Sequence, residues 1–219
     1  MNQHPVPVPP SAEDATVPPG TLWARMKADP QYAPEHLALE AVRRLGPEAA
    51  EWAARTRAEL TPDELAGLAV KHFTTLARLS GALSGVTGLP GAVVDVGVLA
   101  WTQARMVLHI AAAYGADPAA PERAIDLLVL QKVHKVAETA RTALGVAAGR
   151  ERASRLFAGH EGGTLIKLSL KLAQMAGVRA ARKMFAKLVP GAGVILGTWV
   201  NSAATKDLAR RSQEHFHQD

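Results

Sequence analysis

The chain has 219 residues, no cysteine and a formal net charge of +5. This length supports one domain with a substantial core, and the lack of cysteine excludes disulfides, thiolate metal sites and a cysteine nucleophile. Hydrophobic residues make up 48% of the chain and aromatic residues only 5%, which favours closely packed helices over a β-sandwich. We therefore predict an all-α fold, a single multi-helix bundle.

The N-terminal 20 residues contain six prolines and no Lys or Arg, a composition that does not fit a secretory signal. We predict a disordered Pro-rich tail over residues 1–20 and a single helical domain over residues 21–217. A PxxP ligand in the tail is an alternative to a plain solvated tail, which we prefer. Without a signal, we expect the chain to stay in the cytoplasm.

Helix signals are dense in the first part of the domain. The predicted helices lie at about 22–27, 34–45, 47–59 and 61–80. Gly46-Pro47 is predicted to separate the second helix from the third, because proline disrupts a helix interior. The clearest start is the capping box Thr61-Pro62-Asp63-Glu64, with proline at the first helical position.

Two long apolar helices are predicted, each starting at a Pro-Gly-Ala turn, at Pro90-Gly91-Ala92 and at Pro190-Gly191-Ala192. Five of the eight positions that begin at each proline are identical. A duplicated helical unit explains this echo, and so do two independent uses of proline at a helix start. The first helix should end at Gly115, a left-handed cap, and the second at about Phe216.

One further helix is predicted from just after Pro121 to about Ala147, followed by a brief amphipathic piece at 150–158 and a loop at 160–163. The residues of this predicted helix that should face the core are Ile125, Leu128, Val129, Val136, Ala140 and Leu144. Residues 165–188 alternate like a strand at first but continue without a turn signal into an Ala- and Lys-rich run. We therefore predict a helix there.

Two uncharged stretches, 79–94 and 188–205, reach only the lower limit of length for a membrane-spanning helix. Glycines and a proline interrupt both of them. Buried hairpin helices of a bundle are therefore the preferred interpretation, with a transmembrane pair as the alternative.

Positive charge is concentrated near the C-terminus. From Gly162 to Lys206 there are seven Lys or Arg and no Asp or Glu, whereas residues 1–161 carry sixteen basic and seventeen acidic residues. An anionic lipid surface would attract such a segment. The candidate membrane- or anion-binding residues are Lys167, Lys171, Arg179, Arg182, Lys183 and Lys187. A merely solvated basic face is the alternative, and without a recognisable reader motif no nucleic acid is expected.

A polar line follows one face of the first apolar helix. Asp95, Thr102 and His109 are seven residues apart, with Gln103 beside them. Asp95 and His109 are about 21 Å apart along the axis, too far for an acid–base dyad. If the two apolar helices pack together, Asn201 completes a candidate pocket with Asp95, Gln103 and His109. The alternative is that these polar groups bond to one another or to the backbone.

Signals for catalysis and metal binding are weak. The spacing of His4, His215 and His217 does not suit a metal site. The sequence contains no P-loop, no GxSxG elbow and no GxGxxG after a strand. We therefore predict no metal and no cofactor, and we consider an enzyme less expected than a binding protein.

The chain resembles the EcsC family over about residues 45–214. The shared motifs are Gly88-Leu89-Pro90-Gly91, Asp95, Gln103, Met106, Ile110-Ala111, Tyr114-Gly115, Val189-Pro190-Gly191-Ala192-Gly193, Asn201 and Thr205-Lys206. Ala203-Ala204 stand where that family often has aromatic and basic residues. The family is named for the third member of an ABC-transporter operon and has no established catalytic residues to transfer. The resemblance implies a bacterial accessory protein, cytoplasmic or peripheral to the inner membrane.

The leading hypothesis is a non-enzymatic accessory or adaptor protein at the cytoplasmic membrane face that binds anionic lipid or a membrane partner. The hypothesis depends on one observation: the stretch of sequence without acidic residues, 162–206, coincides with an apolar stretch of the chain, 188–205. The alternative is a small-molecule or acyl-chain pocket with a hydrolase-like arrangement around the polar residues of the two apolar helices.

Overall fold

The computed structural model describes residues 18–83, 88–156 and 193–218. Within these ranges the chain forms seven α-helices and no strand, which confirms the predicted all-α fold. The helices are α1 (Gly20–Ala28), α2 (Ala33–Thr56), α3 (Pro62–Leu83), α4 (Gly88–Ala113), α5 (Glu122–Leu130), α6 (Ala137–Leu156) and α7 (Gly193–Phe216). Short 3₁₀ turns at Pro30–Tyr32 and Arg57–Glu59 flank α2.

Helix α4 is the central helix of the bundle. It packs against α2, α3 and α7, and α3 also packs along α7. Every residue from Leu99 to Ala113 is buried. The segment Val96–Ala113 is the one described stretch that is long and apolar enough to cross a membrane, and 89% of it is buried inside the bundle. A helix surrounded by other helices is apolar on all sides, which accounts for its composition.

Gly46-Pro47 does not separate two helices, so this prediction was wrong. Helix α2 continues through Pro47, although an interior proline costs about 3 kcal/mol. The same helix buries Leu45, Ala49 and Trp52 in the core. Packing of one continuous apolar face therefore outweighs the local cost of the proline.

Gly46 is the point where α2 meets the loop after α4. An added Cβ would lie 2.6 Å from the carbonyl oxygen of Pro118 and 2.7 Å from the Cα of Ala119. Both are backbone atoms, so a change of rotamer cannot relieve the clash. We expect Gly46→Ala to lower the free energy of unfolding in urea by about 1–3 kcal/mol, despite the higher helix propensity of alanine.

Gly67 on α3 provides the matched control for this substitution. It is exposed, and an added Cβ there meets no atom within 4 Å. Gly67→Ala should therefore leave the protein as stable as before or stabilise it by up to about 1 kcal/mol. Equal effects of the two substitutions would contradict the close approach at Gly46.

The single helix predicted to end at about Ala147 is two helices, α5 and α6, joined by residues 131–136. Lys132 adopts a left-handed conformation with φ of +58°. The backbone N–H groups of Lys132 and Val133 donate to carbonyl oxygens in the last turn of α5, the Schellman pattern that ends helices. Glycine usually fills this position, so a lysine gives no sequence signal. As a result Val136, predicted in the core, is 53% exposed.

Helix ends with strong local signals were predicted correctly. The backbone N–H of Thr61 donates to the Glu64 carboxylate at 2.9 Å, and the N–H of Glu64 lies 3.3 Å from the Thr61 hydroxyl. This is the predicted capping box. Gly115 has φ of +93° and forms the predicted left-handed cap of α4. Four bounds differ by two or three residues: α1 begins at Gly20, α2 ends at Thr56, α3 ends at Leu83 and α4 begins at Gly88.

Several predicted elements lie outside the described residues. They are the tail before residue 18, the 160–163 loop, the 165–188 helix and the second Pro-Gly-Ala turn. The internal duplication therefore stays a prediction. The brief helical piece predicted to begin at residue 150 is continuous with α6 as far as Leu156.

Candidate functional site

The two apolar helices pack against each other, as the pocket hypothesis requires. Nε2 of Gln103 on α4 donates to Oγ1 of Thr205 on α7 at 3.2 Å, and both side chains are buried. Gln103 therefore joins these two helices through a hydrogen bond inside the core. The side chains of Asp95 and Asn201 lie outside the described residues, so their part in a pocket stays a prediction.

His109 lies on a different face of α4 from Gln103. Their six-residue separation places them about 120° apart around the helix and roughly 9 Å apart along it. The His109 ring packs against Trp52 of α2 and Phe73 of α3, with ring centroids 4.9 Å away in both cases. The two predicted pocket residues thus contact different neighbours, α7 for Gln103 and α2 with α3 for His109.

His109 is fully buried and uncharged at neutral pH. Its Nδ1 lies 2.8 Å from the carbonyl oxygen of Arg105, which can only accept, so Nδ1 carries the proton and donates it. Burial lowers the pKa of His109 to about 3, and although the hydrogen bond to the carbonyl opposes this, the Arg105 and His72 charges lower the pKa further. This environment favours packing over proton transfer at neutral pH.

Arg105 is buried in the same region of the core, one turn before His109. Its guanidinium pairs with the carboxylate of Glu48 on α2 and lies over the Phe73 ring, 5.5 Å from the centroid. The sequence analysis did not single out this pair. The available signal was an arginine in the middle of a mostly apolar helix, since a buried guanidinium requires an acidic partner.

A cluster of three arginines surrounds Glu40 where α1 meets α2. The buried carboxylate accepts hydrogen bonds from Arg25, Arg43 and Arg44 at 2.5 to 2.7 Å. Burial raises the pKa of Glu40, but the three guanidiniums outweigh it and lower the pKa to about 2. Arg43 and Arg44 are 66% and 50% exposed. These two guanidiniums are therefore partly exposed to solvent.

A cleft of about 560 Å³ lies between the start of α2 and α6, and we call it the α2–α6 cleft. Its lining includes Tyr32, Glu35, His134, Glu138, Thr139 and Thr142. Oε1 of Glu35 lies 2.7 Å from Nε2 of His134. The sequence analysis missed this pair because the two residues are 99 positions apart and the connection carrying His134 was predicted as helix.

The sequence analysis predicted no metal site and a set of basic residues that bind a membrane or an anion. In the described ranges, no group of three or more His, Asp or Glu side chains could hold a metal ion. The predicted basic residues from Lys167 to Lys187 all lie outside these ranges.

Comparison with protein-family models matches residues 59–218 to the EcsC protein family. The chain belongs to this family. The match confirms the resemblance to this family, which the sequence analysis placed over about residues 45–214. Comparison with curated proteins and with solved structures found no match.

The EcsC match divides the described sites into two groups. It includes α4 and α7, and with them Gln103, Arg105 and His109. It begins after α2, so the arginine cluster around Glu40 and the Glu35 side of the α2–α6 cleft precede the EcsC region. The cleft therefore forms where a segment outside the match packs on helices inside it.

Proposed function

We propose that this EcsC family protein is a non-enzymatic accessory protein at the cytoplasmic membrane face, where its basic segment, residues 167–187, binds anionic lipid or a membrane partner. The observation that carries the proposal is the run from Gly162 to Lys206, which has seven basic residues and no acidic one. Each cation held near an anionic membrane contributes about 1 kcal/mol. Several of them together suffice for reversible attachment.

The fold favours peripheral attachment over insertion. The most apolar described stretch, Val96–Ala113, is already buried among other helices. Among the described side chains, the only large hydrophobic ones that are exposed are Val136 and Val146. The described bundle thus offers little apolar surface to a bilayer, and electrostatic attraction by the basic segment is the better-supported route.

The arginine cluster around Glu40 adds a second basic surface. Two of its guanidiniums, those of Arg43 and Arg44, are at least half exposed to solvent. Its contribution to membrane attraction should be small and strongly dependent on salt, because exposed charges are screened.

Liposome flotation of the full chain tests the proposal. We expect flotation with vesicles that contain phosphatidylglycerol, no flotation with pure phosphatidylcholine vesicles, and weaker binding as salt is raised. A variant with Lys167, Lys171, Arg182 and Lys183 all changed to Gln should bind anionic vesicles at least about tenfold more weakly.

The matched control changes four exposed cations outside the basic segment to Gln, namely Arg55, Lys71, Lys135 and Arg141. It loses the same net charge and should keep most of its binding. Equal losses in both variants would mean that total charge, rather than the basic segment, drives attraction. Failure of the wild-type protein to bind either kind of vesicle at low salt would contradict the proposal.

A second candidate function is binding of a small molecule or an acyl chain at the polar residues of α4 and α7. What supports it is the Gln103–Thr205 hydrogen bond, which shows that polar side chains of the two helices meet in the core. Native mass spectrometry of the purified protein tests this candidate. A retained lipid or small molecule supports it, and the mass of the bare chain counts against it.

A further inference from the structure

We infer that the α2–α6 cleft binds a small organic cation, an aliphatic amine whose ammonium group donates hydrogen bonds to Glu35 and Glu138. This inference goes beyond the proposed membrane function and uses none of the residues of the basic segment. It depends on the acceptors that the cleft presents, on its charge and on its apolar wall.

Glu35 supplies a buried acceptor in the cleft. The residue is 4% exposed, and its Oε1 lies 2.7 Å from Nε2 of His134. The other carboxylate oxygen, Oε2, is buried and has no hydrogen-bond partner among the described residues. A buried carboxylate oxygen without a donor is costly. Because Glu35 lines the cleft, a rotation of its carboxylate towards a ligand that carries N–H groups would give Oε2 a donor and remove this cost.

The threonine hydroxyls of the cleft are also acceptors. Thr139 Oγ1 donates to the carbonyl oxygen of Val136 at 2.9 Å, and Thr142 Oγ1 donates to that of Glu138 at 3.1 Å. A hydroxyl has one proton, so each threonine oxygen has only lone pairs left for a ligand. The cleft therefore suits a ligand with several hydrogen-bond donors. An ammonium group has three N–H bonds and meets this requirement.

The charge of the cleft points to a cation. Its lining contains the carboxylates of Glu35 and Glu138, and the described lining residues include no Lys or Arg. His134, even when protonated, balances only one of the two carboxylates. An anionic ligand would be repelled, whereas a positively charged amine would form charge-assisted hydrogen bonds.

The apolar part of the lining selects an amine with a hydrocarbon portion. Ala143 and the 39% exposed side chain of Val146 line the cleft beside the acidic groups. The volume of about 560 Å³ lies within the range typical of small-molecule sites. A short aliphatic chain against Val146, with its ammonium group on the carboxylates, uses both parts of the surface.

Titration of the ¹⁵N-labelled full chain with 1,4-diaminobutane, followed by NMR, tests the inference. We expect saturable shifts with this diamine, centred on residues of the cleft. The neutral 1,4-butanediol and the anionic succinate have the same chain length and should cause none. Glu35→Gln and Glu138→Gln should each weaken binding of the diamine at least about tenfold.

Two further variants keep the test decisive if Glu35→Gln impairs folding. Thr142→Trp changes an exposed residue, fills the cleft without removing a charge, and should abolish binding. Glu51→Gln removes a carboxylate that is 71% exposed elsewhere on α2, and it should bind the diamine like the wild type. Absence of saturable binding, equal shifts with butanediol, or equal weakening by Glu51→Gln and Glu138→Gln would overturn the inference.

Discussion

Replacing Glu48 with alanine is expected to lower the free energy of unfolding by about 3–5 kcal/mol, because it leaves the buried guanidinium of Arg105 without its partner. Arg105 is only 2% exposed, so it cannot reach water without opening the core. Arg105→Met should cost much less. It leaves Glu48, which is 19% exposed and can turn towards solvent.

The double variant Glu48→Ala with Arg105→Met decides whether the lost pairing is the cause. It removes both charges, so it should be more stable than Glu48→Ala alone in urea denaturation. Strictly additive losses would contradict the explanation. Glu51→Ala is the control, since Glu51 and Arg55 form an exposed ion pair at 3.7 Å, and it should cost less than about 1 kcal/mol.

Acidification is expected to destabilise the protein through His109. Burial and the nearby positive charges lower its pKa from the ordinary value of 6.5 to about 3 in the folded protein. Between these values the unfolded chain binds a proton that the folded protein does not, so stability falls as pH falls. From about pH 7.5 to about pH 5, His109 alone should account for a loss of about 2 kcal/mol.

Urea denaturation of His109→Gln at both pH values measures this contribution. The uncharged variant should lose about 2 kcal/mol less than the wild type over the same interval. His217→Gln is the control, because His217 is 67% exposed, and its pH dependence should match that of the wild type. A slope unchanged in His109→Gln would contradict the expectation. Glu40, with its pKa lowered to about 2, loses its stabilising effect mainly below pH 4.5.

The parts of the fold that were predicted correctly depend on local signals. The capping box at Thr61 and the glycine cap at Gly115 are encoded within a few residues of each helix end. The two errors have the opposite origin. Helix α2 continues through Pro47 because residues distant in sequence bury its apolar face. Helix α5 ends at a left-handed Lys132, and a lysine side chain does not predict this conformation.

Some residues of the candidate sites were also predicted from local sequence signals, and others were not. The sequence indicated Gln103 and His109 because they lie on or beside a line of polar residues spaced seven apart along the helix, and both are buried in the core. It did not indicate Glu35 or Glu48, because acidic residues on amphipathic helices usually face solvent. It also did not indicate His134, which lies in a connection that was predicted as helix. Their partners are 57 and 99 positions away along the chain, beyond the reach of helical periodicity.

The sequence by itself determined that the chain is helical, that it resembles the EcsC family and that its excess positive charge lies between Gly162 and Lys206. These properties follow from composition, short motifs and charge order. Only the tertiary structure decided which helices adjoin, and so which groups pair: Arg105 with Glu48, and Glu35 with His134 across the α2–α6 cleft. The physical reason is that burial and pairing depend on neighbours brought together by packing, which no local pattern encodes.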